Sequence, residues 1–251
     1  MNQSEHTEQA TPNCADRRHL FKSVLGMAAG GAIGALGFGI SNIAHAAALT
    51  KEQRDLMTPD QIIESLKQGN ERFYRNKLLR HDYLAQKKAA MHGQSPAAII
   101  LSCIDSRAPA EILFDTGIGE TFVTRVAGNI CNSDILGGME YACAVTGAKV
   151  IVVMGHTSCG AVKGAIDDVE LGNLTALLAK IKPAIDAAPY LGDRIASNDA
   201  FVDAVARANV NLARAQIRHD SPILSAMERD GKLKIVGAMY NLNGGVVEFF
   251  S

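Results

Sequence analysis

Two short stretches of the sequence carry side chains that bind metals. "SCIDSR" places Cys103, Asp105 and Arg107 at alternate positions, and "GHTSCG" places His156 and Cys159 three residues apart. Because alternate side chains of an extended chain face the same side, the first three would point together. Two thiolates, an imidazole and a carboxylate oxygen suit a tetrahedral Zn(II) site, and the soft sulfur ligands argue against magnesium or calcium.

These side chains could form a catalytic zinc centre. With Cys103, His156 and Cys159 as ligands, one position stays open for water, whose pKa zinc can lower from about 15.7 to about 7. Asp105 could then accept a hydrogen bond from the resulting hydroxide while Arg107 holds it, or leave Arg107 and take the open position itself. Two alternatives remain at this point: a structural zinc with four protein ligands, and ordinary core or ion-paired residues without a metal.

Four aliphatic segments are predicted to form the strands that position these residues. Each is short, rich in Ile and Val and apolar on both faces, as parallel strands covered by helices must be. They are Ala97–Ser102, Thr121–Val126, Lys149–Met154 and Leu233–Met239, and a short fifth strand, Val246–Phe250, follows. The sequence therefore predicts an α/β fold: a mostly parallel sheet of four strands plus the C-terminal strand, flanked by helices. Ligands of such sheets bind beyond the carboxyl ends of the strands, where Cys103 and His156 fall.

The segment before the first strand is predicted to form a helical arm. Thr58 is placed to cap a helix that begins at Pro59, and a second, more polar helix is predicted over Tyr83–Met91. Residues 47–95 would form this arm and residues 96–251 the α/β zinc-binding core. Arm and core together make one domain of about 200 residues.

Three helices are predicted within the core. Asp134 is placed to cap the first of them. The second covers residues 197–219, where apolar residues recur at helical spacing. The third begins at Ser221-Pro222 and ends at Gly231.

The first 46 residues are predicted to be an export signal rather than part of the folded domain. No Asp, Glu, Lys or Arg occurs between Ser23 and Thr50, and this apolar run is rich in Gly and Ala. Arg17 and Arg18 precede it, as in a twin-arginine (Tat) signal, and the small-x-small triplet Ala44-His45-Ala46 follows it. The sequence predicts cleavage near Ala46, use of the Tat export machinery and a periplasmic location. An uncleaved membrane anchor is the alternative.

Composition argues against a nucleic-acid partner. The formal net charge is -1, the seven histidines are dispersed and Trp is absent, so neither a basic stripe nor a stacking platform is evident. Cys131 and Cys143 lie outside the motifs and are predicted to be buried thiols. A thiol redox protein is disfavoured because the chain has no C-x-x-C pair.

The motifs resemble those of the β-class carbonic anhydrases. "CIDSR" matches that family's Cys-x-Asp-x-Arg and "HTSCG" its His-x-x-Cys-Gly, at the expected separation. "RVAGN" (Arg125–Asn129) resembles the family's Arg-Asn-x-x-Asn segment, with Val126 where Asn is usual, and "GAMYNLNGGVVEF" resembles its closing hairpin. The resemblance extends over residues 58–251.

The resemblance implies an enzyme that hydrates CO2 reversibly to bicarbonate and a proton through zinc-bound hydroxide. It implies Cys103, His156 and Cys159 as ligands of Zn(2+), with Asp105 as a conditional fourth ligand and Asp105–Arg107 as the gating pair. It also implies a homodimer or a dimer of dimers, with each active site at an interface and the N-terminal helices around the partner.

Gln94, nine residues before Cys103, resembles a residue of the plant-type subclass that donates a hydrogen bond to the substrate oxygen. The other subclass has a Trp where this chain has Ile100, as part of an inhibitory bicarbonate pocket. The resemblance therefore implies a plant-type, open site with Asp105 off the metal near neutral pH. Gly160 would supply a backbone N–H near the substrate.

Two other functions stay open on the same scaffold. A COS or CS2 hydrolase would also need zinc hydroxide and a small apolar pocket. A non-catalytic zinc-binding or storage protein would use the same ligands. Asp105 and Arg107 argue against storage, because storage needs no gating pair.

Overall fold

The computed structural model describes residues 49–250, and a five-stranded sheet forms the centre of this part of the chain. The strands are β1 (Ala98–Ser102), β2 (Thr121–Arg125), β3 (Val150–His156), β4 (Lys234–Tyr240) and β5 (Val247–Phe250). Their order is β2-β1-β3-β4-β5; β5 pairs antiparallel with β4 and the other neighbours are parallel. The predicted α/β fold is confirmed, and β3 extends two residues further than predicted, to His156.

Helices precede the sheet and connect its strands. They are α1 (Lys51–Leu56), α2 (Pro59–Tyr74), α3 (Tyr83–Ala89), α4 (Ala110–Leu113), α5 (Ser133–Glu140), α6 (Gly160–Ile166), α7 (Gly172–Ala179), α8 (Lys182–Ala187), α9 (Asp199–Asp220) and α10 (Pro222–Arg229). A 3-10 turn covers Ala127–Asn129, and α5 passes into a π-helical turn at Tyr141–Val145. Among residues 49–250, none of the helices has the length and apolar character that a membrane crossing requires. The predicted export signal lies outside the described residues.

Two apolar cores lie on the two faces of the sheet. Every residue of β1 and β3 is buried, because helices cover both faces of these central strands. On one face Leu101 joins a cluster that includes Phe201 of α9. On the other face Ile100 joins a cluster with Ile62 and Leu66 of α2. The alternation along each strand therefore serves two cores at once.

The cap predicted from the sequence is present at α2, whereas a different residue caps α5. Thr58 forms the predicted cap: its hydroxyl accepts from the Gln61 N–H at 3.2 Å, and its own N–H donates to the Gln61 side chain at 2.8 Å. The prediction that Asp134 caps α5 is wrong. Asn132 does so, with its side-chain oxygen accepting from the Ile135 N–H at 2.9 Å. Asn132 has the extended backbone that a cap requires, whereas Asp134 already lies in the first turn.

Asn70 ties α2 to two distant parts of the core. Its buried side-chain amide donates to the carbonyl oxygens of Leu113 at 3.1 Å and Gly245 at 2.9 Å, and its oxygen accepts from the Val247 N–H at 2.8 Å. The preceding residue, Gly69, allows this approach, because a Cβ there would lie 1.8 Å from the Phe114 carbonyl oxygen. The helix α2 is thus built into the core.

Candidate metal centre

Adjacent strands bring the three predicted ligands together. β1 and β3 are neighbours in the sheet; Cys103 follows β1, His156 ends β3, and Cys159 is the residue before α6. The two sulfur atoms and a ring nitrogen of His156 all lie within 4.8 Å of one another. All three residues are buried, with relative exposures of 4%, 2% and 1% in chain order. Three side chains from two separate stretches of the sequence thus converge on one enclosed point.

The imidazole of His156 is oriented for coordination. Its Nδ1 lies 2.9 Å from the Thr157 carbonyl oxygen, which fixes the ring and the tautomer. Its Nε2 is buried and has no hydrogen-bond partner among the described residues. A buried polar atom without a partner carries a desolvation cost that a metal ion would remove. The donor set and this nitrogen therefore fit a zinc ion, which prefers sulfur and imidazole ligands at tetrahedral sites.

The contact between the thiols of Cys103 and Cys159 shifts their pKa values in opposite directions. The Cys159 thiol stabilises the neighbouring thiolate and lowers the pKa of Cys103 to about 4, and the same contact raises the pKa of Cys159 far above its usual range. Burial lowers the pKa of His156, but the Cys103 thiolate outweighs burial, so this pKa lies above its ordinary value. A metal ion would displace the proton that the sulfurs share, because thiolates are the binding form.

Arg107 holds Asp105 beside the three ligands. The Arg107 Nε and Nη2 donate to the two carboxylate oxygens at 3.0 and 2.7 Å, and the Arg107 backbone N–H donates to Oδ1 at 2.9 Å. These bonds keep the pKa of Asp105 well below its usual range. The carboxylate Oδ2 lies 3.8 Å from His156 Nε2. An ionised, doubly held carboxylate therefore borders the cluster.

Arg125 and Gly128 brace the Cys103 end of the site. Arg125, the last residue of β2, donates to the carbonyl oxygens of Cys103 at 2.9 Å and Asp105 at 2.5 Å. The Gly128 N–H donates to Cys103 Sγ at 3.3 Å. Gly128 has a φ of +67°, and a Cβ there would lie 2.5 Å from Ile181 Cδ1. In the sequence, Arg125–Asn129 is recognisable only as a motif. The spacing between Cys103 and Arg125 does not predict that Arg125 or Gly128 contacts Cys103.

Helix α9 braces the other end of the site. Ser158, between His156 and Cys159, has a left-handed φ of 50°, and its N–H donates to the Asp203 carboxylate at 2.8 Å. Burial raises the pKa of Asp203. The loop is thereby held at a conformation that a serine adopts rarely. Sequence reasoning missed Asp203, which carries no motif of its own.

The remaining predicted residues lie away from the three ligands or at their edge. Gln94 is exposed and lines a surface cavity of about 760 Å³ that none of the three ligands lines. Gly160 begins α6 directly after Cys159 and is exposed. Cys131 and Cys143 are buried free thiols, as predicted, and burial raises their pKa values to about 11 and about 12.

Comparison with known proteins gives consistent matches. A family model described as carbonic anhydrase matches residues 98–247. "Carbonic anhydrase 2" of Mycobacterium tuberculosis is 36% identical over 188 residues, covering 72% of this chain and 88% of that protein. The carbonic anhydrase of Mycolicibacterium smegmatis is 34% identical and covers 75% of this chain and 91% of that protein. The solved Coccomyxa β-carbonic anhydrase in complex with acetazolamide is 26% identical with a TM-score of 0.57, covering 64% of this chain and 74% of that one.

Proposed function

The chain belongs to the β-carbonic anhydrase family of lyases, and we propose that it catalyses the reversible hydration of CO2 to bicarbonate and a proton with one zinc ion per chain. The convergence of Cys103, His156 and Cys159 carries the proposal, together with a buried His156 Nε2 that has no hydrogen-bond partner within residues 49–250. These three residues would hold the ion.

A zinc ion held there would supply hydroxide at neutral pH, because zinc can lower the pKa of bound water from about 15.7 to about 7. Two thiolate ligands neutralise much of the ion's charge, so the protein has to moderate their electron donation. The Gly128 N–H, 3.3 Å from Cys103 Sγ, does this by withdrawing charge from the sulfur. The low-dielectric surroundings of the buried site strengthen that hydrogen bond.

Asp105 orients the attacking oxygen. With both its oxygens engaged by Arg107 it stays ionised, and its Oδ2 lies beside His156. Held there, its Oδ2 would accept a hydrogen bond from the attacking hydroxide and so orient the oxygen lone pair towards CO2, with no proton transferred to Asp105. This arrangement supports the open, plant-type site, in which Arg107 keeps Asp105 from acting as a ligand.

Substrate binding requires a second subunit in this proposal. Gln94 and the Gly160 N–H are the proposed donors to the substrate oxygen, but Gln94 lines a separate cavity of its own chain. Ile104, between Cys103 and Asp105, is 60% exposed, and Leu84 of α3 is 80% exposed. Ile104 adjoins the ligand Cys103 and Leu84 lines the cavity of Gln94, so each half of the proposed substrate site exposes an apolar side chain that a partner subunit would cover. A homodimer, or a dimer of dimers, would bring Gln94 of one subunit to the site of the other.

The location of the enzyme is also part of the proposal. Residues 1–46 would direct export through the twin-arginine route, and the cleaved enzyme, one domain of arm and core, would act in the periplasm. Arg17 and Arg18 before an uncharged segment support this.

The direct test uses protein whose zinc content has been measured. Its CO2 hydration rate is monitored by stopped flow at pH 8. We expect one zinc per chain and hydration that Cys159→Ser abolishes together with most of the bound zinc. Full zinc occupancy without hydration of CO2 would reject the proposal.

A further inference from the structure

A second cavity lies near the start of β4, whereas the metal ligands lie at the carboxyl ends of β1 and β3. It has a volume of about 490 Å³ and opens between α2, α9 and the start of β4. The residues that decide its chemistry are Lys67, Arg214, Arg218, Leu233, Lys234 and Phe249. We call it the Arg214 cavity. Its size lies in the range of about 300–1,000 Å³ that small-molecule sites occupy.

Positive charge exceeds negative charge in the Arg214 cavity. Four cationic side chains line it, against the carboxylates of Asp60 and Glu228. Both carboxylates already have partners: Glu228 accepts from Arg218 at 2.7 and 2.8 Å, and Asp60 pairs with Lys234. Arg214 interacts with the charge of Glu228, which is already paired with Arg218, and Lys67 pairs with neither carboxylate of the lining. The cavity therefore keeps an excess of two positive charges.

Arg214 is a buried cation with only neutral acceptors. Its side chain donates to the Asn211 side-chain oxygen at 3.0 Å and to the Ile235 carbonyl oxygen at 3.5 Å. The residue is 7% exposed, and its Nε has no hydrogen-bond partner among the described residues. Burial and the charge of Arg218 lower the pKa of Arg214. Glu228 accepts its hydrogen bonds from Arg218 and compensates the buried charge of Arg214 only in part, so an anion beside Arg214 would be stabilised.

Lys67 adds a second, accessible cation. Its ammonium lies 5.9 Å from the centre of the Phe249 ring. Its ion pair with Glu64, at 3.9 Å, joins two half-exposed side chains, and such pairs contribute little. Lys67 is thus free to turn towards a ligand beside Arg214.

The rest of the lining is apolar. Ile63, Leu233, Val236, Phe249 and Phe250 form the walls. Such walls favour a ligand with an apolar body, and a guanidinium group matches the planar geometry of a carboxylate. We propose that the Arg214 cavity binds a small organic monocarboxylate, with its charged end between Arg214 and Lys67 and its apolar body against Phe249 and Leu233. This site is separate from the proposed hydration of CO2 and does not depend on it.

The test is a titration of the zinc-loaded, 15N-labelled protein with benzoate, followed by backbone amide chemical shifts. Shifts should appear at Leu233 and Phe249. Benzamide, the neutral analogue, and inorganic phosphate, which has no apolar body, should each bind on the order of tenfold more weakly, as expected for the loss of a charge-assisted bond or of the apolar contact. Phosphate binding as tight as benzoate would overturn the proposal, because it would indicate a simple anion site.

Variants locate the site independently. Arg214→Gln and Lys67→Gln should each lower the affinity for benzoate by on the order of tenfold. Lys182→Gln is the matched control, because Lys182 is 52% exposed, against 49% for Lys67, and lies outside the cavity. If Arg214→Gln fails to fold, Lys67→Gln still tests the proposal, because Lys67 is half-exposed and its replacement should not affect folding. Unchanged affinity in Lys67→Gln, or shifts confined to the surroundings of His156, would overturn the proposal.

Discussion

The backbone N–H of Gly128 donates a hydrogen bond to Cys103 Sγ at 3.3 Å, so a turn that follows β2 adjusts a thiolate that follows β1. The contact depends on the left-handed φ of +67° at Gly128 and on the space beside Ile181 Cδ1. A glycine is required here for both reasons.

Gly128→Ala should therefore destabilise the protein. The added Cβ would lie 2.5 Å from Ile181 Cδ1, and the alanine backbone would have to adopt the unfavourable φ of +67°. The two effects together should lower the free energy of unfolding by on the order of 2–4 kcal/mol. Chemical denaturation measures this loss. Gly137→Ala in α5, where a Cβ meets nothing within 4 Å, should leave stability unchanged or slightly improved. Equal stability of the two variants would contradict the role given to Gly128.

Arg107→Gln should impair turnover more than zinc binding. It removes the two side-chain bonds that hold Asp105 off the ligand cluster, and loss of such an orienting partner costs about 10- to 100-fold in activity. Stopped-flow kcat and zinc content are the measurements. Arg75→Gln is the control, because Arg75 and Arg107 are both 57% exposed and Arg75, directly after α2, forms its ion pair with Glu71 on the surface. Full activity in Arg107→Gln would remove the gating pair from the mechanism.

Removing the metal should make Cys103 the most reactive of the four cysteines in residues 49–250. In protein stripped by a chelator, Cys103 should react with iodoacetamide at pH 7 before Cys131, Cys143 and Cys159, because its pKa is lowered to about 4 by the Cys159 thiol. Cys131 and Cys143, with pKa values raised by burial to about 11 and about 12, should stay unmodified. Peptide mass spectrometry identifies the sites. Labelling of Cys143 ahead of Cys103 would refute this order, and bound zinc should suppress labelling of Cys103.

Glu228 should make stability depend on pH below the neutral range. Burial raises the pKa of Glu228, but hydrogen bonds from Arg218 outweigh burial and lower the pKa overall. The stabilisation is therefore complete above the unfolded pKa of about 4.3 and is lost as the pH falls through the lower folded value. Glu228→Gln should cost about 1 kcal/mol in the free energy of unfolding at pH 7, a difference that shrinks below about pH 4.

Metal-free protein is suited to that measurement, because zinc loss in acid then plays no part. Glu71→Gln, in an exposed pair with Arg75, should change the free energy of unfolding by less than about 0.5 kcal/mol at any pH. A Glu228→Gln effect that stays constant down to pH 3 would contradict the assigned pKa shift.

The export proposal has its own test. Replacing both Arg17 and Arg18 with Lys should retain the protein in the cytoplasm, because the twin-arginine route reads the paired arginines. Fractionation of periplasm and cytoplasm, with activity measured in each, gives the answer. Unchanged export of the double variant would refute a twin-arginine signal.

The strands and the three proposed ligands could be predicted from the sequence because their signals are local. β1 and β3 are continuous aliphatic runs, and Cys103, His156 and Cys159 stand where those runs end. Parallel strands place such ends at one edge of a sheet, so convergence follows from the pattern alone.

The supporting contacts could not be predicted in this way. The bond from Ser158 to Asp203 spans 45 residues, and the bond from Arg125 to Cys103 spans 22. Both depend on which elements are neighbours in space, which no local pattern records. At α5, Asn132 and Asp134 are equally good capping types, and only the backbone conformation decides between them.

Asn70 has a consequence for the order in which the chain can fold during synthesis. Its amide closes contacts with Gly245 and Val247, which follow 175 and 177 positions later. A ribosome must therefore make nearly the whole described chain before α2 can reach its final place. Vectorial folding from the amino end cannot complete this protein, and a partly made chain would expose the apolar face of α2. A transport route that accepts only finished, folded cargo would suit such a chain.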